Sequence, residues 1–254
     1  MKNCILEVAL SPAEFGPLMR RDLSQAVCVV FDILRATTSM ITALANGAEA
    51  IVPVEDIPQA LAIRKKQAEV LLAGEREGFR IGAQLTGGVE FDLGNSPREF
   101  TPERVRGRTI VMTTTNGTRA LRACSGARMV LPSSFLNLEA TLNWIRRDQP
   151  RHLVLVCSGT HEEPALEDIL AAGALCQELW EAFEGGQVSD AAEVARNCYE
   201  LLGKDLPSAF AQARNGRRLL SIPELREDVA VCARRNLQPF CAVMNGEGVI
   251  RRIS

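Results

Sequence analysis

The chain has few of the groups that most often carry chemistry. Of its 254 residues, only His152 and His161 are histidines, so a three-histidine metal site is excluded. Cysteines number eight, but the closest pair, Cys232 and Cys241, is nine residues apart, which excludes a C-x-x-C knuckle or ribbon. Several cysteines sit in apolar runs, as in Val27-Cys28-Val29 and Val156-Cys157-Ser158, and read as buried thiols in a reducing compartment. No apolar run approaches the ~20 residues of a membrane-spanning helix. The N-terminal run Ile5-Leu6 ends at an acid, Glu7, unlike a signal peptide. A cytoplasmic protein is the expectation.

Charge of one sign is also missing. Lys and Arg total 29 against 31 for Asp and Glu, a formal net charge of −2, with no block of like charge. Nucleic acid and anionic membrane surfaces are therefore poor partners. Several phosphate-handling motifs are absent as well. There is no G-x-x-x-x-G-K-[ST] loop and no G-x-S-x-G elbow. Asp32 is followed by Ile33-Leu34 rather than by a second aspartate in the aspartyl-phosphatase pattern, and the sixth residue after Cys157 is Glu163, not the arginine of a thiolate-phosphatase loop.

The composition that remains is ordinary and globular: 46% apolar, 24% charged. A chain of this length buries roughly 70–75% of its unfolded surface without disulfide or metal staples. Short β-branched runs at 26–31, 50–54, 70–73, 109–112, 129–131 and 152–156 alternate with amphipathic stretches at 37–46, 56–68, 116–124, 135–147 and 166–183. Further helical stretches fall at 189–202, 205–214 and 222–234. That alternation predicts an α/β fold, a mostly parallel sheet flanked by helices, with its ligand cleft at the strand carboxyl ends. The soft spot Glu184-Gly185-Gly186-Gln187 divides an α/β catalytic core, residues 1–184, from a helical C-terminal quarter, residues 185–254, packed on it. Val29 to Val54 and Ile110 to Ser133 follow one plan at an offset of 79 residues (Gly47-Ala48 and Gly126-Ala127; Pro53 and Pro132). They read either as two related βαβ halves or as the resemblance any two such units share.

Three strand-to-helix turns combine hydroxyl or glycine residues with the N–H groups of a following helix, which suits an anion. The first, Asp32-Ile33-Leu34-Arg35-Ala36-Thr37-Thr38, adds a carboxylate for a divalent cation or for activating water, and a guanidinium fork for an anionic oxygen pair; Asp32 and Thr37 could equally be helix caps. The second is Thr113-Thr114-Thr115-Asn116-Gly117-Thr118-Arg119, and the third Cys157-Ser158-Gly159-Thr160. Between them runs a glycine-rich stretch from Gly74 to Pro97 that holds Glu75, Arg76 and Asp92 and is longer than an idle connection. Leu166-Glu167-Asp168 opens a helix, where an acid serves a metal or only the helix dipole.

Six phrases occur in a specific order: Phe31-Asp32-Ile33-Leu34-Arg35-Ala36-Thr37-Thr38, Gly74-Glu75-Arg76, Phe91-Asp92-Leu93-Gly94-Asn95-Ser96-Pro97, Thr113 to Leu121, Ser134-Phe135-Leu136-Asn137 and Leu166-Glu167-Asp168. In this order the chain resembles the 2-phosphosulfolactate phosphatases, the ComB-like family, well over about residues 27–180 and loosely in the C-terminal quarter. The resemblance implies an α/β fold with the site in a cleft. It also implies a Mg²⁺-dependent hydrolase that converts 2-phospho-3-sulfolactate to 3-sulfolactate and phosphate, a step of coenzyme M synthesis. Asp32, Arg35 and Glu75 are then the candidate catalytic residues, and Asp32 with one or more of Glu75, Asp92 and Asp168 the candidate metal ligands. Arg35, Arg76 and Arg119 would bind the anionic groups, and Thr37, Thr38, Thr115, Asn116, Gly117, Thr118, Ser158, Gly159 and Thr160 the remaining oxygens. Attack by metal-bound water and an aspartyl-phosphate at Asp32 both stay open. So do another phosphorylated hydroxy acid as substrate and a non-catalytic binder of such acids. Glu77 in place of a glycine, a long loop from Arg80 to Glu90, and His161-Glu162-Glu163-Pro164 in place of a glycine-rich turn depart from the family pattern; they bear on the substrate more than on the reaction class. A homo-oligomer is the default expectation for assembly.

Overall fold

Ala26–Phe31 is apolar and buried at every position, the pattern of a strand covered on both faces. In the computed structural model, which describes residues 4–253, it is a central strand of a single sheet. The strands are β1 (Ile5–Ala9), β2 (Ala26–Phe31), β3 (Ala50–Pro53), β4 (Leu71–Arg76), β5 (Phe79–Arg80), β6 (Thr109–Thr113), β7 (Met129–Ser133), β8 (His152–Cys157), β9 (Gln187–Val188), β10 (Cys241–Met244) and β11 (Ile250–Ile253). Their order is β5-β4-β6-β3-β11-β10-β7-β2-β8-β1-β9. The α/β expectation holds: β9, β1, β8, β2 and β7 form one parallel block, and β3, β6 and β4 another.

The antiparallel hairpin β10–β11 lies between the blocks, meeting β7 through Met244 and Val130 and β3 through Ile250 and Ile51. Three antiparallel steps reverse the sense, so the two blocks run in opposite directions along the sheet. The sheet nevertheless curls around a shared core. Cys28 and Val30 of β2, Val154 of β8, Ile51 of β3 and Ile110 and Met112 of β6 belong to one apolar cluster with Met40, Ile41 and Leu44 of the helix Ala36–Ala45 and Leu121 of the helix Gly117–Ala123. The alternate side chains Val27, Val29 and Phe31 point to the other face, onto the helix Leu166–Phe183 and its neighbours. This is the period-two partition expected of a strand.

The two similar segments are not compact βαβ units. β2 pairs with β7 and β3 with β6, so each helix carries the chain from one block to the other and the copies interlock. The C-terminal quarter supplies the expected helices, and it also supplies β9, β10 and β11, for which no sequence signal had been read. The stretch 205–214 becomes the helix Leu206–Gln212, followed at once by a second helix, Arg214–Leu220. Gly216 permits this: a Cβ there would lie 1.7 Å from the Phe210 carbonyl oxygen. The eight cysteines are free, and burial pushes the Cys157 thiol well up and the Cys176 thiol up to about 12, as expected of apolar core thiols. Among the described residues no helix is long and apolar enough to cross a membrane.

Glu7 on β1 takes a two-pronged bond from Arg21, both contacts at 2.7 Å, and lies 2.8 Å from His152 Nε2. The hydrogen bonds from His152 and Arg21 hold its carboxyl down at about 2, against 4.5 for the free group. A depressed folded-state value stabilises the fold above the free value and is lost as pH falls through the folded one. Glu7→Gln is therefore expected to cost on the order of 1 kcal/mol near neutral pH, allowing for solvent screening, and much less near about pH 2. Urea titrations at the two pH values measure this, and an equal cost at both would contradict it.

Candidate active site

β2 ends at Phe31, and the chain turns at once into the helix Ala36–Ala45. The turn is closed by its own polar groups: the Ala36 N–H donates to Asp32 Oδ1 (2.9 Å), the Asp32 N–H to Thr37 Oγ1 (3.0 Å) and the Thr38 hydroxyl to the Ile33 carbonyl (2.9 Å). Thr37 and Thr38, expected to hold ligand oxygens, are fully buried and spend their hydroxyls on this turn. Asp32 Oδ2 faces Gly117, at the start of the helix Gly117–Ala123. A Cβ at Gly117 would come within 2.6 Å of that oxygen, so glycine is what lets the turns after β2 and β6 approach each other.

The loops that follow β2, β4, β6 and β8 meet around a cavity of about 390 Å³. Asp32, Arg35, Glu75, Arg76, Thr115, Asn116, Gly159 and Thr160, all singled out from sequence, line it. Glu75 is 7% exposed; its carboxylate accepts from the Gly78 N–H (2.7 Å), the Thr115 N–H (2.8 Å) and the Thr115 hydroxyl (2.9 Å). Arg76 donates to Thr113 Oγ1 at 3.1 Å and to the Glu75 carbonyl at 2.7 Å. Asn116 Nδ2 donates to the Gly159 carbonyl (3.2 Å), which joins the second turn to the third. Burial, reinforced by the charges of Glu75 and Glu167, pushes the Asp32 carboxyl up to about 6; the Ala36 N–H and Arg35 act in the opposite direction.

Other expected residues lie outside the cavity lining. Asp92 is bound by Arg64 and by the Leu72 N–H, and Asp168 accepts from the Ile33 N–H (2.8 Å) and the Gly159 N–H (3.0 Å). Neither lines the cavity; Asp168 clamps the turn after β2 to the turn after β8. Its carboxyl is pushed well up by burial and by the negative charges of Asp32 and Glu167. Thr118 bonds to Thr114, Ser158 is fully buried, and Arg119 pairs with Glu162 at 3.2 Å.

In their place the cavity holds residues that sequence reading passed over: Asn95, His161, Asn215 and Arg218. Asn215 Nδ2 donates to Thr160 Oγ1 (2.7 Å) and to Glu167 Oε1 (2.6 Å). Asp228, on the helix Arg226–Cys232, is fully buried and accepts from Arg35 Nη1 and from the Ser96 hydroxyl, both at 2.7 Å. It is an acid in a first helical turn, where such residues are common as dipole partners, and nothing local marks it out.

The oxygen-rich lining bears on a metal. Asp32 has one carboxylate oxygen beside Gly117, and the buried side-chain oxygens Asn95 Oδ1 and Asn116 Oδ1 have no hydrogen-bond partner. Among the described residues no three His, Cys, Asp or Glu side chains are grouped to hold a metal alone. Few carboxylates together with neutral oxygens fit Mg²⁺, which keeps waters and takes phosphate oxygens, and do not fit zinc.

The α/β sheet gathers guanidinium groups, side-chain oxygens and backbone N–H groups at strand carboxyl ends, where such sheets place their ligands. The chain belongs to the 2-phosphosulpholactate phosphatase family, whose pattern matches residues 17–247 and so reaches into the C-terminal quarter. It is 40% identical over 224 residues to a protein of Caldanaerobacter subterraneus subsp. tengcongensis named "Probable 2-phosphosulfolactate phosphatase", covering 86% of this chain and 87% of that one. A protein of Thermotoga petrophila with the same name is 36% identical over 88% of this chain and 91% of its own. One from a Synechococcus species, also so named, is 40% identical over 82% and 84%.

Removing Asp228 would leave the Arg35 guanidinium buried without a counter-ion. Asp228→Ala is expected to cost about 3–5 kcal/mol in unfolding free energy, measured by urea titration. A loss below about 1 kcal/mol would mean that the pair contributes no more than a surface ion pair does.

Proposed function

We propose that the protein is a Mg²⁺-dependent phosphatase acting on 2-phospho-3-sulfolactate, releasing 3-sulfolactate and phosphate in the cytoplasm. The observation that carries this reading is the cavity itself: Asp32 and Glu75 share it with Arg35, Arg76 and Arg218, in a chain of the matching family. A substrate with a phosphate, a carboxylate and a sulfonate needs several cationic donors in one place, and a near-neutral chain supplies them locally.

Asp32 would hold the metal through the oxygen beside Gly117, with Asn95 and Asn116 contributing neutral oxygens. Mg²⁺ bound there would neutralise phosphate charge and lower the pKa of a coordinated water. Arg35, fixed by Asp228 and by the Gly78 carbonyl (2.6 Å), would orient phosphate oxygens with its remaining N–H groups. Glu75 would keep the Thr115 and Gly78 backbones in place. Water adds to phosphorus, the phosphorus–oxygen ester bond breaks, and one proton of that water passes to the leaving alkoxide, which becomes the hydroxyl of 3-sulfolactate while the other stays on the released phosphate.

Phosphate release from 2-phospho-3-sulfolactate, measured with Mg²⁺ and then with chelator, tests this reading. Asp32→Asn and Arg35→Ala are each expected to lower kcat/KM by at least about 100-fold, as for loss of a transition-state contact. Absence of metal-dependent release from this ester and from related phosphomonoesters would favour a binding protein instead.

The Asp32 carboxyl also sets a stability test. Its folded value of about 6 lies above the free value of 3.8, so ionising it opposes folding. The cost is absent below about pH 4, grows toward pH 6 and is complete above it. Without divalent cation, Asp32→Asn is expected to melt above the wild type at about pH 7.5 and together with it near about pH 4. Melting below the wild type at the higher pH would contradict the raised value.

A further inference from the structure

Three guanidinium groups line the cavity, and their charges are not equally free. Arg35 is 3% exposed and lies 2.7 Å from the fully buried Asp228 carboxylate, so that pair is close to neutral. Arg76 forms no ion pair among the described residues, but both its terminal nitrogens are taken, Nη1 by the Glu75 carbonyl and Nη2 by Thr113 Oγ1. Arg218 is held by the neutral Glu77 carbonyl at 2.6 Å. Among the described residues it forms no ion pair. Arg119, the guanidinium expected from sequence, is instead paired with Glu162.

Arg218 is also held at the cavity by the fold. Its helix, Arg214–Leu220, packs so closely on the preceding one that only a glycine fits at position 216. Asn215, Leu219 and Ile222 line the same cavity, so this segment forms one wall of it. The bond to Glu77 ties that wall to the turn after β4, beside Glu75. An unbalanced guanidinium matches the two oxygens that a carboxylate or sulfonate presents. It comes from a chain segment distinct from the turns that carry Asp32 and Glu75.

We propose that Arg218 binds the non-transferred anionic group, sulfonate or carboxylate, of the substrate. It thereby sets a preference for phosphate esters of small acids over uncharged phosphomonoesters. This rests on the phosphatase reading for its substrate class, but the contact is testable without turnover. Because Arg218 is exposed, the contact weakens with ionic strength.

Titration calorimetry with 3-sulfolactate and with inorganic phosphate, on the full chain with Mg²⁺, tests the assignment. Arg218→Ala is expected to weaken 3-sulfolactate binding about 10- to 100-fold more than phosphate binding, the effect of one charge-assisted contact. Arg218→Lys should recover part of the loss. Arg217→Ala, which removes an exposed neighbouring charge bonded to the Gln212 carbonyl, should change neither affinity. In turnover the Arg218→Ala loss should fall mainly on KM. Equal weakening of both probes, unchanged affinity in Arg218→Ala, or no binding of 3-sulfolactate by the wild type would each overturn the inference. A wild type that binds 3-sulfolactate through Arg218 but releases no phosphate would keep the inference and overturn the phosphatase reading.

Discussion

The buried pair of Arg35 and Asp228 is the interaction on which the site depends. Arg35 follows Asp32 by three residues, and its two terminal nitrogens reach Asp228, near the end of the chain, and the Gly78 carbonyl after β4. Asp228 in turn takes the Ser96 hydroxyl. One guanidinium thus ties together the turn after β2, the turn after β4, the loop at Ser96 and the C-terminal helices. Taking two charges out of water is expensive, and the added hydrogen bonds from Ser96 and to Gly78 are what make the arrangement tolerable. The same contacts limit how Arg35 can move, as its proposed role of orienting phosphate requires.

Carboxylates around the cavity are held under strain of a different kind. Asp32, Glu167 and Asp168 lie near one another, and burial raises the pKa of each. A fold selected for stability alone would not gather acids in this way. Ionising each of them costs free energy that neighbouring N–H and amide donors only partly offset. Asp168 shows how the sheet bears that cost: two backbone N–H groups from different turns converge on its carboxyl, so an acid also serves as the clamp that aligns the loops.

Much of the architecture was legible in the chain. Runs such as Ala26–Phe31 and residues 153–157 are apolar throughout because both their faces are covered, and Asp56 and Ser189 do cap the helices that follow them. The turns after β2, β4, β6 and β8 were recognisable from their Thr, Gly and acidic residues, and eight of the residues chosen there line the cavity. What misled was chemistry that local pattern cannot resolve. Asp92 looks like a ligand in a glycine-rich loop but is taken by Arg64, and Arg119 looks like an anion site but pairs with Glu162. The hairpin β10–β11 carries Arg251 and Arg252 on exposed positions and is short, so its pattern is weak even though it sits between the two blocks.

The sequence by itself determined the α/β class, the sites of the strand-to-helix turns, and the types of group they present, because these follow from periodicity and from residue chemistry within a few positions. Only the tertiary structure decided which of those groups share a cavity. It interlocked the two similar segments across oppositely directed blocks. It placed Asp228 against Arg35 across 193 residues, and it put Arg218 rather than Arg119 in the cavity lining. The reason is physical: a carboxylate or guanidinium has the same composition whether it meets a ligand, a helix end or an opposite charge. Its partner is chosen by long-range packing that brings distant segments within hydrogen-bond reach.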